Sequence, residues 1–275
     1  MIGDEPRIMA HLVAEYPSRE GCLQVARGLA AGGAAYLEVQ FPYSDPSADG
    51  PAIQTACDRA LGAGFTPDRG FALVEEIAES TGLPVFIMGY AGTVYARGVR
   101  RFTLDARRSG ASGLIVPDLS PGSDEGLYRW GREAGIPAVP VVAPTVAETR
   151  LEGILAEESP YLYASLRSGI TGKSTDEKVA APFLEHLRRR TGARILGGFG
   201  IRSPGQIRVL SPLVHALVVG SFFVEKIEKS VQTSPKVLYD IMYRSIRMLL
   251  NGDDEEKETD SRRNRRGDRA DSKPL

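Results

Sequence analysis

The sequence predicts an α/β protein folded as a (β/α)8 barrel, with an extra C-terminal helix and a disordered charged tail. Three observations carry this expectation. Short apolar runs alternate with amphipathic runs of helical period, and the alternation repeats eight times over about 230 residues, where roughly 250 is usual for such a barrel. Most of the apolar runs are bounded by Gly or Pro, as parallel strands covered by outer helices require. No GxGxxG follows the first strand, which disfavours a doubly wound sheet, the runner-up architecture.

In chain order, IMAHLV at 8–13 opens the series and a helical pattern at 19–31 returns the chain. AYLEVQ at 35–40 is the second strand, and a helix at 68–81 leads to PVFIM at 84–88 and then GLIV at 113–116. A helix at 124–134 precedes AVPVV at 138–142, and one at 146–157 precedes YLYAS at 161–165. The helical pattern at 176–190 leads to RILGG at 194–198, and HALVV at 215–219 runs into helical residues 222–229. A further amphipathic helix at 235–250 closes a single barrel domain, 1–250. Residues 251–275 hold almost no apolar side chains, with acidic residues first and basic ones later, and are expected to be disordered.

Of the 275 residues 42% are hydrophobic and 25% charged, and the formal net charge is −1, so no basic face calls for nucleic acid. No apolar run approaches the roughly 20 residues that span a bilayer, and no signal-like N-terminus is seen, so a soluble, cytoplasmic protein is expected. Cys22 and Cys57 show no CxxC or Cys/His spacing and read as reduced and structural.

Chemistry is expected at the C-terminal ends of the strands. In the second strand Tyr36, Glu38 and Gln40 share one face and Leu37 and Val39 the other, so Glu38 points inward. The following loop supplies Asp45 and Asp49 among Pro42, Pro46, Gly50 and Pro51, which restrict the backbone. Taken singly, Glu38 reads as a carboxylate paired with a cation inside the barrel, and Asp49 as a turn residue. Eleven residues apart on a proline-braced loop, the two can converge on one small ligand as an acid/base pair. Glycines gather elsewhere: RSGITG at 167–172, GGFG at 197–200, and Gly220-Ser221 before a helix that Ser221 is able to cap. One such pair is an ordinary turn; three in this order predict a phosphate site.

With those residues in view, the chain resembles the α subunit of tryptophan synthase over 8–228. The segments that carry the likeness are LEVQFPYSDPSADGP at 37–51, RSGITG at 167–172, GGFGIRSP at 197–204 and VVGSFFVEKIE at 218–228. The resemblance implies retro-aldol cleavage of indole-3-glycerol phosphate to indole and glyceraldehyde 3-phosphate. It implies Glu38 and Asp49 as the catalytic carboxylates and Tyr163 close to the glutamate. It further implies Gly172, Gly200, Gly220 and Ser221 at the phosphate, Phe199 near phosphate and ring, and Tyr90, Ile53 and Thr171 around the indole. No metal or cofactor is implied in this chain; pyridoxal phosphate belongs to a β subunit that receives the indole in an α2β2 assembly.

Five positions depart from the family pattern. Gln40 stands in place of a usual glycine and is expected to intrude into the pocket, and His11 replaces an aromatic pocket residue and reads as a core or rim histidine. Val13 and Glu15 replace threonine and glycine, and Gly92 replaces an asparagine in a loop facing the β subunit. Two other readings stay open: a catalytically weak barrel kept as an allosteric partner of the β subunit, and another phosphate-binding barrel enzyme, which would depend on magnesium.

Overall fold

Seven of the eight expected strands form within one residue of their predicted bounds, and a proline divides the remaining one. The computed structural model describes residues 5–166, 177–198 and 200–252, apart from the side chains of 177 and 179. The strands are β1 (Ile8–Val13), β2 (Tyr36–Gln40), β3 (Val85–Met88), β4 (Gly113–Ile115), β5 (Ala138–Val139), β6 (Val141–Val142), β7 (Tyr161–Ser165), β8 (Arg194–Gly198) and β9 (Ala216–Val219). Pro140 separates β5 from β6 because it has no N–H for the ladder, although its carbonyl still accepts from Tyr163 N at 2.9 Å.

All pairings are parallel, and the order β5-β4-β3-β2-β1-β9-β8-β7-β6 begins and ends on the two halves of that one strand. The sheet therefore closes on itself as an eight-stranded barrel. Period-2 alternation splits the strand side chains between two cores. Ile8, Leu12, Leu37, Val39, Val85, Leu114 and Leu217 pack outward against the helices, while Met9, Phe86, Met88, Ile115, Tyr163, Leu196 and Val218 fill the interior. Each strand thus has apolar residues on both faces, which is why it reads as a near-continuous apolar run.

The helices at Arg19–Ala31, Pro67–Thr81, Leu127–Ala134, Glu148–Leu155, Glu177–Arg190, Ser221–Glu228 and Pro235–Asn251 match expectation to within a turn. Helices at Pro51–Gly62, Ala91–Arg97, Val99–Arg108 and Pro204–Leu210 were not foreseen. The first of these begins inside the Pro- and Gly-rich stretch that reads as loop, because Pro51 occupies its first turn, where a missing N–H costs nothing. The C-terminal helix Pro235–Asn251 lies so close on Arg19–Ala31 that a Cβ at Gly28 would meet the Tyr239 carbonyl, with Tyr239 Cα only 3.0 Å away. It is an integral wall of the barrel.

Glu15 adopts φ +60°, a conformation glycine enters without cost. Its buried carboxylate meets Arg69 at 2.8 Å and Arg19 at 3.5 Å, and these ion pairs offset a strain of roughly 1–2 kcal/mol. Among the described residues no helix is long and apolar enough to cross a membrane.

Candidate active site

Parallel register brings the site together at the C-terminal mouth of the barrel. His11 on β1 lies opposite Glu38 on β2, and both side chains are buried. His11 Nδ1 and Glu38 Oε2 are 2.6 Å apart. Burial alone would lower the His11 pKa, but the bond to Glu38 and the negative charges of Glu38 and Asp49 outweigh it and hold the imidazole above its usual range. Glu38 therefore has an inward hydrogen-bond partner in His11. His11 is buried, as expected of a core histidine, and it is also the direct hydrogen-bond partner of Glu38.

Asp49 comes in from the loop after β2, just ahead of the helix Pro51–Gly62. Its N–H donates to Pro46 O at 2.9 Å and its carbonyl accepts from Gln54 Nε2 at 2.9 Å, so the backbone is held on both sides. Its Oδ2 accepts from Gln40 Nε2 and from the Tyr90 hydroxyl, each at 2.8 Å. Burial pushes the Asp49 carboxyl up, while His11, Gln40 and Tyr90 pull it back toward the ionised form. Asp45 is exposed and takes no part in this cluster.

Gln40 does not project into the pocket as expected. Its amide is fully buried, donating to Asp49 and lying 3.5 Å from Cys57 Sγ. The chain doubles back after Phe41 and carries Asp49 and Cys57 over Gln40, so the side chain supports Asp49 from behind. The Cys57 thiol, like that of Cys22, is buried and pushed up to about 12.

Glu38, Asp49, His11, Ile53 and Tyr163 line one pocket together with Met88, Ile115, Gly200, Gly220 and Ser221. Tyr163 rises from β7, and burial together with the charges of Glu38 and Asp49 holds its hydroxyl protonated well above the usual range. Gly198 gives it room, because a Cβ there would overlap the tyrosine hydroxyl. Tyr90 acts through Asp49 and also stacks on Tyr43, with ring centroids 5.4 Å apart. Gly92 makes that stack possible: a Cβ at 92 would come within 2.8 Å of the Tyr43 ring.

Of the glycines, Gly200 has φ +81° and needs to be glycine. Gly220 is the N-cap of the helix Ser221–Glu228 and has no side-chain cap, so Ser221 is its first residue rather than its cap. The first-turn N–H groups of such a helix favour an anion. Arg202, bound to Glu225 at 2.9 Å, reaches within 3.5 Å of Ser221 Oγ and adds positive charge nearby. Thr171, Gly172 and Phe199 lie outside the described residues. Tyr36 shares a strand face with Glu38 but sits at the other end of β2, where its hydroxyl meets His215 Nε2 at 2.7 Å.

Comparison with known proteins agrees with this geometry. The family model for the tryptophan synthase alpha chain matches residues 3–248. The tryptophan synthase alpha chain of Helicobacter hepaticus is 33% identical over 259 residues, 90% of this chain and 97% of that protein. The alpha chain of Caulobacter vibrioides is 34% identical over 239 residues, 86% of this chain and 87% of that protein. Among solved structures, tryptophan synthase of Mycobacterium tuberculosis superposes with TM-score 0.79 at 26% identity, covering 88% of this chain and 93% of that one. The tryptophan synthase complex of Pyrococcus furiosus does so with TM-score 0.79 at 28% identity, covering 91% and 100%. A closed parallel barrel, two buried carboxylates at its mouth and a match over nearly the whole chain lead to one conclusion: this chain belongs to the tryptophan synthase alpha chain family, lyases that cleave indole-3-glycerol phosphate in tryptophan synthesis.

Proposed function

We propose that Glu38 and Asp49 divide the work of a retro-aldol cleavage, Glu38 as acid/base and Asp49 as the anion beside the indole nitrogen. Indole leaves poorly as a carbanion. Protonation at ring C3 turns the ring into a cationic electron sink, and Glu38 delivers that proton and takes one from the side-chain hydroxyl. Asp49, which His11, Gln40 and Tyr90 draw toward the ionised form against its burial, accepts the ring N–H and stabilises the positive charge that develops there. Tyr163 and Ile53 flank the ring, and Tyr90 acts on it through Asp49. Gly200, Gly220 and Ser221, with Thr171, Gly172 and Phe199, hold the phosphoglyceryl end, so that binding at the far end aligns the bond that breaks.

The observation that carries this reading is the convergence of Glu38 and Asp49, 3% and 4% exposed, on one pocket that also has Gly220 and Ser221 in its lining. The weak-barrel alternative loses its motive, because Gln40 is bonded to Asp49 instead of blocking the pocket. Residues 1–250 act as one catalytic domain with 251–275 as an appended tail, in the cytoplasm, and the chain works in an α2β2 assembly with a β subunit to which indole passes. Pyridoxal phosphate belongs to that subunit, and this chain uses neither cofactor nor metal. The partner reading draws on the Mycobacterium tuberculosis and Pyrococcus furiosus neighbours, whose structures are of tryptophan synthase.

The test is indole release from indole-3-glycerol phosphate by the purified chain, alone and with a β subunit, beside Glu38→Gln. The variant keeps the side-chain volume and removes the titrating proton, so kcat is expected to fall by at least about 100-fold with the fold intact. Full activity in that variant would dismiss Glu38 as the acid/base.

A further inference from the structure

We propose that His11 is the proton-relay partner of Glu38, a positioning residue that reloads the acid/base carboxyl during cleavage. The inference rests on the cleavage reading above and adds to it a residue that replaces the family's aromatic side chain at this position.

Three observations carry it. His11 Nδ1 lies 2.6 Å from Glu38 Oε2, close enough for a charge-assisted bond along which a proton moves. Both groups are buried at the pocket wall, with relative side-chain exposures of 5% and 4%, so the bond is shielded from water. The other ring nitrogen, Nε2, is buried and has no hydrogen-bond partner among the described residues. A buried imidazole nitrogen left unpaired is costly. The base of the side chain faces Gly220, with His11 Cγ 3.5 Å and Cβ and Cδ2 each 3.6 Å from where a Cβ there would stand, so the imidazole borders the proposed phosphoglyceryl site. An oxygen of the substrate side chain is the acceptor that a protonated ring requires.

In the resting pair the proton is on His11 and the negative charge on Glu38. The Nδ1 proton passes to Glu38, which delivers a proton to ring C3. A C–H bond forms from the C2–C3 π pair, the cation settles on the ring nitrogen facing Asp49, and His11 is left neutral. Glu38 then takes the hydroxyl proton while the C–C bond breaks. The electron pair of the O–H bond becomes the aldehyde π bond, the pair of the C–C bond restores C2=C3, and the proton returns to Nδ1. One proton enters and one leaves, and the pair is reset.

Among the described residues, the groups facing His11 are few. Glu38 comes from β2, Asp49 from the loop after it, Tyr90 from the end of β3 with its hydroxyl committed to Asp49, and Tyr163 from β7. The β9 side presents Gly220 and Ser221, and Arg202 beyond them is paired with Glu225. Among the described residues, the charges around the ring are negative apart from Arg202, and those of Glu38 and Asp49 favour protonated His11.

The test compares the full chain, His11→Phe and His11→Asn, each with a β subunit present, by kcat and KM for indole release across pH. Asparagine keeps a donor for Glu38 but carries no titrating proton. Both variants are expected to lose about tenfold to hundredfold in kcat, with a smaller change in KM, and to lose an alkaline limb that the wild-type kcat shows above histidine's usual 6.5. Titration of the His11 ring by nitrogen NMR in the unliganded protein supplies a readout independent of turnover, with a midpoint expected to fall in Glu38→Gln. Variants that keep the wild-type kcat and limb, recovery of kcat by asparagine, or a His11 midpoint indifferent to Glu38→Gln would overturn the relay and leave the cleavage reading standing. No indole from the wild-type chain in any condition would sink both.

Discussion

Replacing Gln40 with leucine isolates how Asp49 is held. The change removes the donor 2.8 Å from Asp49 Oδ2 and leaves the Tyr90 hydroxyl at the same distance as the remaining one. A hydrogen bond to a charged acceptor contributes about 1.5–3 kcal/mol. Spent wholly on keeping Asp49 ionised and aimed, it is worth about tenfold to hundredfold in kcat/KM. Stability responds differently. Gln40 Oε1 is buried without a partner among the described residues, and that burial costs roughly 1–3 kcal/mol, which leucine relieves. The two effects nearly cancel, so unfolding free energy is expected to stay within about 1 kcal/mol of wild type. Glycine at 40 would be a poorer probe, since it opens a cavity in a fully buried site. Losing the amide also lets burial push the Asp49 carboxyl further up, so the acid limb of kcat/KM moves to higher pH. The assay is kcat/KM for indole release across pH beside urea unfolding. A variant with wild-type kcat/KM and an unmoved acid limb would refute the reasoning; if it were also destabilised, Gln40 would be a packing residue alone.

Three further outcomes follow from the same structure, beside the Glu38→Gln loss stated above. Asp49→Asn is expected to abolish most turnover and to raise thermal stability. The folded-state pKa of Asp49 lies above its unfolded value, so its favourable contribution is full below the unfolded value of 3.8 and is lost as pH rises through the folded one. The melting-temperature gain of the variant should therefore grow from acid toward neutral pH, and a gain that shrinks would contradict this. Gly28→Ala should destabilise the fold by about 1–3 kcal/mol despite alanine's better helix propensity. Its methyl group meets the Tyr239 backbone, and a melting temperature at or above wild type would show that the C-terminal helix shifts freely. The thiols of Cys22 and Cys57, buried and pushed up to about 12, should react with a disulfide reagent only as fast as the protein unfolds. Rapid labelling of the native chain would count against that burial.

Ser221 shows how local sequence misleads at a helix start. Gly220-Ser221 before a helical run reads as a serine cap, yet Gly220 is the cap and Ser221 the first helical residue, and both line the pocket. Helix Pro51–Gly62 was hidden for a related reason, since the residues that start it are also turn residues.

By itself the sequence determined the barrel. Each strand must bury both faces in a closed parallel sheet, so its apolar run is legible without any partner, and the period-2 alternation of 36–40 alone puts Glu38 inside. The crowded Pro, Asp and Gly pattern of 41–51 likewise brought Asp49 back toward the mouth. Tertiary structure decided the rest of the site. Whether His11 meets Glu38 depends on the β1–β2 register, which pairs residues 27 apart in the chain. Whether Gln40 blocks the pocket or braces Asp49 depends on where the returning loop crosses it. Periodicity says which face a side chain takes, but register and loop path, set by packing across the whole barrel, say which side chain it touches.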